Sequence, residues 1–209
     1  MKIQWTPRVN RAVVVLPLAA AALSQSASAG LVAVSSQAVW NYYLGTAGLV
    51  VETETFNAIA DGFYSSPFGG STASVAWSAS ASGGLYVSNG IFSTNNPVTL
   101  QFTFFPGVRA VAGNFFGTDI NFNNISVLYT AKLSDGSGYS GIADNPSSFT
   151  GFFAQTASIA ALTLTVTNIA GSTDVYPSVD NLYFGVPVPA PGAVSLLAVA
   201  GLIAARRRR

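Results

Sequence analysis

Few side chains in this sequence can carry out catalysis. Its 209 residues contain neither histidine nor cysteine, which excludes Ser-His-Asp triads, cysteine nucleophiles and zinc sites built on imidazole or thiolate. One pair of carboxylates remains as a candidate for catalysis. Glu52 and Glu54 would lie on the same face of a strand, about 7 Å apart. Such a pair can hydrolyse glycosidic bonds. Alternate glutamates are also typical of a solvent-facing strand. We therefore expect no enzyme, with an extracellular carboxylate-dependent hydrolase as the weaker alternative.

An oxygen-rich segment is the second candidate for chemistry. Asp119, Asn121, Asn123 and Asn124 lie within six residues of one another, and Ca²⁺ binds carboxylate and amide oxygens. Their spacing differs from the Asp-x-Asp-x-Asp-Gly pattern of calcium loops, and the same residue types are favoured in turns and caps. We expect no cofactor, and a structural calcium ion stays open as an alternative.

Aromatic side chains are the remaining candidates for binding, because a sugar ring can pack on a flat aromatic surface. One part of the chain is dense in them: Trp40, Tyr42, Tyr43, Phe63, Tyr64, Trp77 and Tyr86. The hydrophobic core needs most of the 14 Phe, 8 Tyr and 3 Trp residues. We expect Trp77 to be buried, and Trp40 and Tyr43 to be the exposed pair that contacts a glycan.

The pattern of apolar residues predicts an all-β fold. Segments 98–105, 125–133 and 162–167 alternate apolar with polar residues, which is typical of strands with one buried face. Shorter candidates are 50–56, 74–80, 84–88, 109–116, 148–154 and 180–184. Turn signals such as Asn89-Gly90 separate them. About nine strands of this kind predict an antiparallel β-sandwich or jelly roll. For residues 33–43, a short helix and an edge strand are both open.

The amino-terminal segment has the pattern of a secretory signal peptide. An apolar run at residues 12–23 follows three basic residues: Lys2, Arg8 and Arg11. Ala27-Ser28-Ala29 then gives the small-x-small pattern that signal peptidase accepts, and cleavage is expected before Gly30. An uncleaved membrane anchor is the alternative. Residues 1–29 are thus predicted to be a signal peptide, and residues 30–186 the exported domain.

The carboxyl-terminal segment, residues 187–209, combines a proline-rich linker with a short transmembrane helix. Its apolar stretch at 192–205 would span roughly 21 Å as a helix, and snorkelling arginines can make up part of the ~30 Å hydrocarbon thickness. By the positive-inside rule the terminal arginines stay cytoplasmic. The residues of the two flanking motifs are Val188, Pro189, Ala190 and Pro191, and Arg206, Arg207, Arg208 and Arg209.

This three-part tail resembles a PEP-CTERM sorting signal, with Ala190 where that signal usually has glutamate. The resemblance implies export by a Gram-negative bacterium and transient anchoring in the inner membrane. An exosortase-like membrane protease would then cut near the motif. Proteins with such tails are usually associated with exopolysaccharide and biofilm, which implies a final location at the cell surface or in the extracellular matrix.

The middle of the chain resembles the single β-sandwich domain common in proteins with this tail. The matching pieces are Phe56, the segment 149–153 and the segment 179–185. The resemblance implies a sandwich like those of carbohydrate-binding modules. In such modules a structural calcium ion commonly joins the first strand to the last, and the resemblance would place it near Glu54 and Asp180.

The net charge of the predicted mature domain indicates which classes of partner it favours. Between residues 30 and 186 only Arg109 and Lys132 are basic, against eight acidic residues, so the net charge is −6. A negative domain repels nucleic acid and favours neutral glycans or divalent cations. We therefore predict an exported, non-enzymatic surface or matrix protein associated with neutral polysaccharide. A dedicated carbohydrate-binding module is the alternative.

Overall fold

The computed structural model describes residues 31–171 and 174–188. Within them the chain forms fifteen strands and one helix. In chain order these are β1 (Leu31–Val34), α1 (Gln37–Thr46), β2 (Leu49–Glu54), β3 (Gly62–Tyr64), β4 (Phe68–Ser71), β5 (Ala76–Ser80), β6 (Leu85–Ser88), β7 (Ile91–Thr94), β8 (Leu100–Val108), β9 (Ala110–Thr118), β10 (Asn124–Ile125), β11 (Val127–Leu133), β12 (Gly138–Ala143), β13 (Phe149–Ala154), β14 (Ile159–Asn168) and β15 (Tyr176–Pro187).

The strands form two antiparallel sheets. Sheet A has nine strands, in the order β1-β13-β9-β15-β7-β6-β3, with β10 beside β9 and β2 beside β15. Sheet B has six strands, in the order β12-β11-β14-β8-β5-β4. The predicted all-β architecture is confirmed, and so is the antiparallel pairing.

An aromatic core lies between the two sheets. Trp77 of sheet B meets Phe92 of sheet A edge to face, with ring centroids 5.8 Å apart. Phe56 packs 5.5 Å from Trp77, and Phe102 of sheet B packs 5.8 Å from Phe92. Trp77 is 3% exposed, as predicted. The described residues include no cysteine and therefore form no disulfide. These ring contacts and the aliphatic residues around them are the main stabilising contacts.

The predicted number of strands is wrong, since the structure has fifteen where about nine were expected. The missed strands are short or rich in glycine and serine, such as FGGS in β4 and GYSGIA in β12. Such segments lack alternating apolar residues of their own and are held by pairing with a neighbouring strand. Residues 33–43, left open between helix and strand, contain both: the end of β1 and most of α1.

Helix α1 packs on the outer face of sheet A, against β2 and β13. The side chain of Ser36 caps its first turn by accepting a hydrogen bond from the amide of Val39. Trp40 and Leu44, one turn apart, form a second hydrophobic cluster with residues of β9 and β13. A Cβ at Gly151 would lie 2.3 Å from Cδ1 of Trp40, so the indole lies directly on the backbone of β13.

The last strand extends slightly beyond the predicted domain boundary. Val186 is 5% exposed, and Pro187, predicted to begin the linker, pairs with Leu49 of β2. Among the residues that the structure describes, no helix is both long and apolar enough to cross a bilayer. The signal peptide, its cleavage site and all of the sorting motif except Val188 lie outside the described residues.

Candidate functional site

The predicted glycan-contacting pair, Trp40 and Tyr43, lies on α1. Trp40 is 0% exposed, so the prediction that it is exposed is wrong. Its indole is enclosed between α1 and sheet A, and Nε1 donates a hydrogen bond to the carbonyl of Phe152 at 3.3 Å. Tyr43 is half-buried and stacks on Phe153, with ring centroids 5.8 Å apart. Both rings fasten the helix to the sheet, which leaves no flat aromatic platform there for a sugar.

The carboxylates of Glu52 and Glu54 connect the two sheets. Glu54 Oε2 accepts a hydrogen bond from Trp77 Nε1 at 3.0 Å, and its Oε1 accepts from the amide of Phe56 at 2.8 Å. Glu52 Oε2 accepts from the hydroxyl of Thr72 and from the amide of Ser74. Partial desolvation raises the pKa of Glu52, but the hydrogen bonds from Ser74 and Thr72 outweigh it and hold that pKa below its ordinary value.

These contacts give the two glutamates a structural role. Thr72, Ser74 and Trp77 belong to the β4–β5 hairpin of sheet B, whereas β2 belongs to sheet A. Each carboxylate is therefore already engaged by protein donors, instead of facing the other across a cleft as glycoside hydrolysis requires. The geometry gives the hydrolase alternative no support.

The predicted calcium ligands lie on paired strands. Glu54 pairs with Leu182 of β15, two residues beyond Asp180, so the first and last long strands of sheet A do meet. Both oxygens of Glu54 already accept hydrogen bonds, and burial raises the pKa of Asp180. Within the described ranges, no three residues among His, Cys, Asp and Glu cluster as metal ligands. A calcium ion at this position stays a prediction from the resemblance.

A groove on the outer face of sheet A provides a better candidate site. It has a volume of about 350 Å³, and none of its described lining residues belongs to α1. We call it the Tyr86 groove. Strands β6, β7, β9 and β15 form its floor, and the loop after β9 forms one wall. Its lining includes Tyr86, Ser88, Ser93, Thr118, Phe122 and Tyr176.

The alternating pattern of β6 places Tyr86 in the groove. Leu85 and Val87 point into the core and are fully buried, so Tyr86 and Ser88 point to the other face and are half-buried. The turn Asn89-Gly90, with φ of 49° and 77°, joins β6 to β7. Positive φ at both central residues is the geometry that an Asn-Gly hairpin favours, and this predicted turn is confirmed.

Buried hydroxyl groups form the floor. Ser178 Oγ donates to Ser93 Oγ at 2.9 Å and lies 2.9 Å from Thr118 Oγ1, and Ser93 Oγ donates to the carbonyl of Pro177 at 3.1 Å. These three side chains, on β15, β7 and β9, are nearly inaccessible. Their mutual bonds fix the hydroxyl positions and join three neighbouring strands beneath the groove.

The wall is held by Asp119. Its Oδ1 accepts hydrogen bonds from the amides of Asn121 and Asn123 at 2.8 and 2.9 Å, and its Oδ2 accepts from Asn123 Nδ2 at 2.9 Å. The side-chain bond from Asn123 lowers the pKa of Asp119. This turn keeps Phe122 at φ 61°, where its ring lies 5.6 Å from that of Tyr86. The oxygen-rich segment thus serves as a turn that positions an aromatic ring.

The lining of the groove is aromatic and polar with little charge. Among the described residues that line it, Asp119 is the one charged side chain, and none is lysine or arginine. Two aromatic rings, Tyr86 and Phe122, adjoin hydroxyl and amide groups, so an uncharged ligand rich in hydroxyls can both stack and form hydrogen bonds. Sequence reasoning included Tyr86 among the aromatic candidates but missed Phe122, Tyr176 and the serine and threonine floor.

Comparison with known proteins leaves the family open. No protein-family model matches the chain, and no curated protein matches it either. Among solved structures, a mutant of a family 29 carbohydrate-binding module is similar, with 7% sequence identity and a TM-score of 0.34. The alignment covers 70% of this chain and 95% of the module. A similarity this distant does not identify a ligand.

Proposed function

We propose that this protein is a non-enzymatic, exported binding protein for neutral polysaccharide, and that the Tyr86 groove is its binding site. The observation that carries the proposal is the combination of a half-exposed tyrosine ring, a neighbouring phenylalanine ring and the half-exposed polar side chains of Ser88 and Asn95 in one groove, whose described lining includes no basic residue. This proposal keeps the predicted role as a surface or matrix protein and takes its binding activity from the alternative, a carbohydrate-binding module.

The lining predicts which ligands are selected. A sugar ring without charge can stack on Tyr86 and exchange hydrogen bonds with Ser88 and with Asn95. A volume of about 350 Å³ lies at the lower end of ligand pockets, which span roughly 300–1,000 Å³, so the groove holds a short part of a longer chain. The charge on Asp119 disfavours uronate and sulfate groups, because none of the described residues that line the groove is basic.

The location of the protein is proposed from its two terminal segments. The signal-like pattern up to Ala29 and the tail from Val188 to Arg209 support export, transient inner-membrane anchoring and release by an exosortase-like protease. Pro187 and Val188 are exposed at the end of β15, so the chain leaves the sandwich at an accessible point. Export would bring an acidic, charge-poor domain into contact with polysaccharide of the cell surface or matrix.

Affinity electrophoresis tests the function. The protein is run through gels containing dextran, galactomannan or mixed-linkage β-glucan, with alginate as a charged polymer. We expect retardation by at least one neutral polymer and none by alginate. Tyr86→Ala should weaken that binding about tenfold, the equivalent of about 1.4 kcal/mol.

A matched control comes from the same domain. Tyr42 is 67% exposed and lies on α1, outside the Tyr86 groove, so Tyr42→Ala should bind like the wild type. If neither neutral polymer nor oligosaccharide binds, or if the two tyrosine variants lose binding equally, the groove is not a polysaccharide site.

A further inference from the structure

The outer face of sheet B carries a second accessible aromatic ring. Along β8, Leu100, Phe102 and Phe104 point into the core, so Gln101, Thr103 and Phe105 point outward. Phe105 is 80% exposed, more than any other large hydrophobic residue in the described ranges. Phe105 belongs to neither hydrophobic cluster, because the core lies on the inner side of sheet B and α1 packs on sheet A.

Hydroxyl and amide side chains form rows beside Phe105. Gln101 pairs with Thr163 of β14 on one side and with Ser80 of β5 on the other. Thr103 pairs with Ser78 in the next row, and Phe105 with Ala76 in the row after it. Neighbours across strands are about 4.8 Å apart and neighbours along one face of a strand about 6.8 Å apart. The face therefore presents regularly spaced polar groups that lead from Gln101 to an aromatic ring.

A broad depression lies at the Gln101 end of these rows. It has a volume of about 550 Å³ and is lined by residues that include Ser66, Ser80, Ser82, Thr99, Gln101 and Thr163. Gln101 and Phe105 are four residues apart on one strand, which corresponds to about 14 Å. The depression and the ring are thus spaced along β8 so that one extended chain of several sugar rings can contact both. We call this surface the β8 strip.

The charge of the β8 strip fits an uncharged polymer. Lys132 is the one charged side chain on the described strands of sheet B, and it pairs with Thr163 at the far side of the strip from β5. The groups available for contact are hydroxyls, one amide and one aromatic ring. Lys132 offers a polyanion a single charge at one edge, whereas a hydroxyl-rich chain can exchange hydrogen bonds along all of the rows.

We propose that the β8 strip is a second polysaccharide-binding surface, so that one molecule bridges two chains of neutral polysaccharide. The inference rests on the proposed function of the Tyr86 groove. The two surfaces are the outer faces of opposite sheets, separated by the aromatic core, so one polymer segment does not contact both directly. Two sites facing in opposite directions turn a binding protein into a cross-linker of a matrix.

Light scattering of protein mixed with a long neutral polysaccharide tests the bridge. The polymer is whichever of dextran, galactomannan or mixed-linkage β-glucan the wild type binds. We expect the hydrodynamic radius of the polymer to rise with added wild type, and to stay near that of free polymer with Phe105→Ala or with Tyr86→Ala. Tyr42→Ala is the matched control and should cross-link like the wild type.

Binding and self-association are measured on the same variants. Phe105→Ala should still bind a short oligosaccharide of that polymer with wild-type affinity, because the Tyr86 groove is intact. If Phe105→Ala cross-links as well as the wild type while Tyr86→Ala does not bind, the proposed function stands and the β8 strip is refuted. If sedimentation shows that Phe105→Ala converts a dimer into a monomer, the strip is an interface between copies and the proposal is overturned. Absence of binding by the wild type would refute both surfaces together.

Discussion

Removing the carboxylate of Glu54 should markedly destabilise the fold. In Glu54→Ala, two donors lose their acceptor: the indole Nε1 of Trp77, 3.0 Å away, and the amide of Phe56, 2.8 Å away. Trp77 is 3% exposed and Phe56 is 0% exposed, so water has little access to either residue. Phe56 also has a φ of 58°, a backbone conformation that the hydrogen bond to Glu54 helps to hold.

The expected loss follows from these two contacts. An unsatisfied buried donor costs about 1–3 kcal/mol. Because Glu54 itself is half-buried, some water can replace its carboxylate, and we expect a total loss of about 2–4 kcal/mol in the free energy of unfolding. That is a large part of the roughly 5–15 kcal/mol typical of a folded domain. Glu54→Gln keeps one acceptor oxygen but turns an NH₂ group toward a donor, so we expect about half of this loss.

Urea unfolding followed by tryptophan fluorescence provides the assay. Asp174→Ala is the matched control, because Asp174 is exposed and the change in net charge is the same; it should shift stability by no more than about 0.5 kcal/mol. If Glu54→Ala is as stable as Asp174→Ala, the two hydrogen bonds do not hold the hairpin and the reasoning fails. A fall in the wild-type midpoint on adding a chelator, with no such fall in Glu54→Ala, would instead assign this carboxylate to a calcium ion.

Two further expectations concern pH and processing. Hydrogen bonds hold the folded-state pKa of Glu52 below its ordinary value of 4.5. The carboxylate therefore contributes stability that is fully present above pH 4.5 and is lost as the pH falls through the lower folded value. Unfolding midpoints of wild type and Glu52→Gln should thus differ at neutral pH and converge in acid, and a constant difference would contradict this. The intact mass of the protein from its native host should lack residues 1–29 and the terminal arginines, and Pro191→Ala should block the second cut; retention of the carboxyl terminus would refute the sorting hypothesis.

The long strands could be predicted because their own residues determine which face is buried. Segment 98–105 alternates as far as Phe104 and segment 162–167 alternates throughout, and they fall largely within the long strands β8 and β14. The segment predicted at 148–154 is β13, observed at Phe149–Ala154. By contrast, β4 and β12 contain mostly glycine, serine and small residues, and only the neighbouring strand determines that they are extended.

The position of Trp40 could not be predicted from local density of aromatic residues. Its burial depends on Gly151 of β13, more than a hundred residues away, where the absence of a side chain makes room for the indole. The spacing of Trp40 and Leu44 by one helical turn was the available signal that both face one partner. The Tyr86 groove could not be predicted for a similar reason. Its floor comes from β6, β7, β9 and β15, and no local sequence pattern gives the order of these strands in the sheet.

Surface aromatic rings are informative in this protein because the core accounts for most of the others. Phe63 is 58% exposed, yet its ring lies against the backbone of Gly84, where a Cβ would be 2.4 Å from Cε2. Tyr42 contacts Tyr43 on the helix.

Phe105 has no ring partner among the described aromatic contacts, and Tyr86 meets only Phe122 across the groove. Tyr86 and Phe105 are thus the two exposed or half-exposed rings that internal packing explains least, and both lie beside uncharged polar side chains. The described lining of the Tyr86 groove has one charged side chain, Asp119, and the described strands of sheet B have one, Lys132. Two outer faces with so little charge are suited to the neutral, hydroxyl-rich polymers that we propose as ligands.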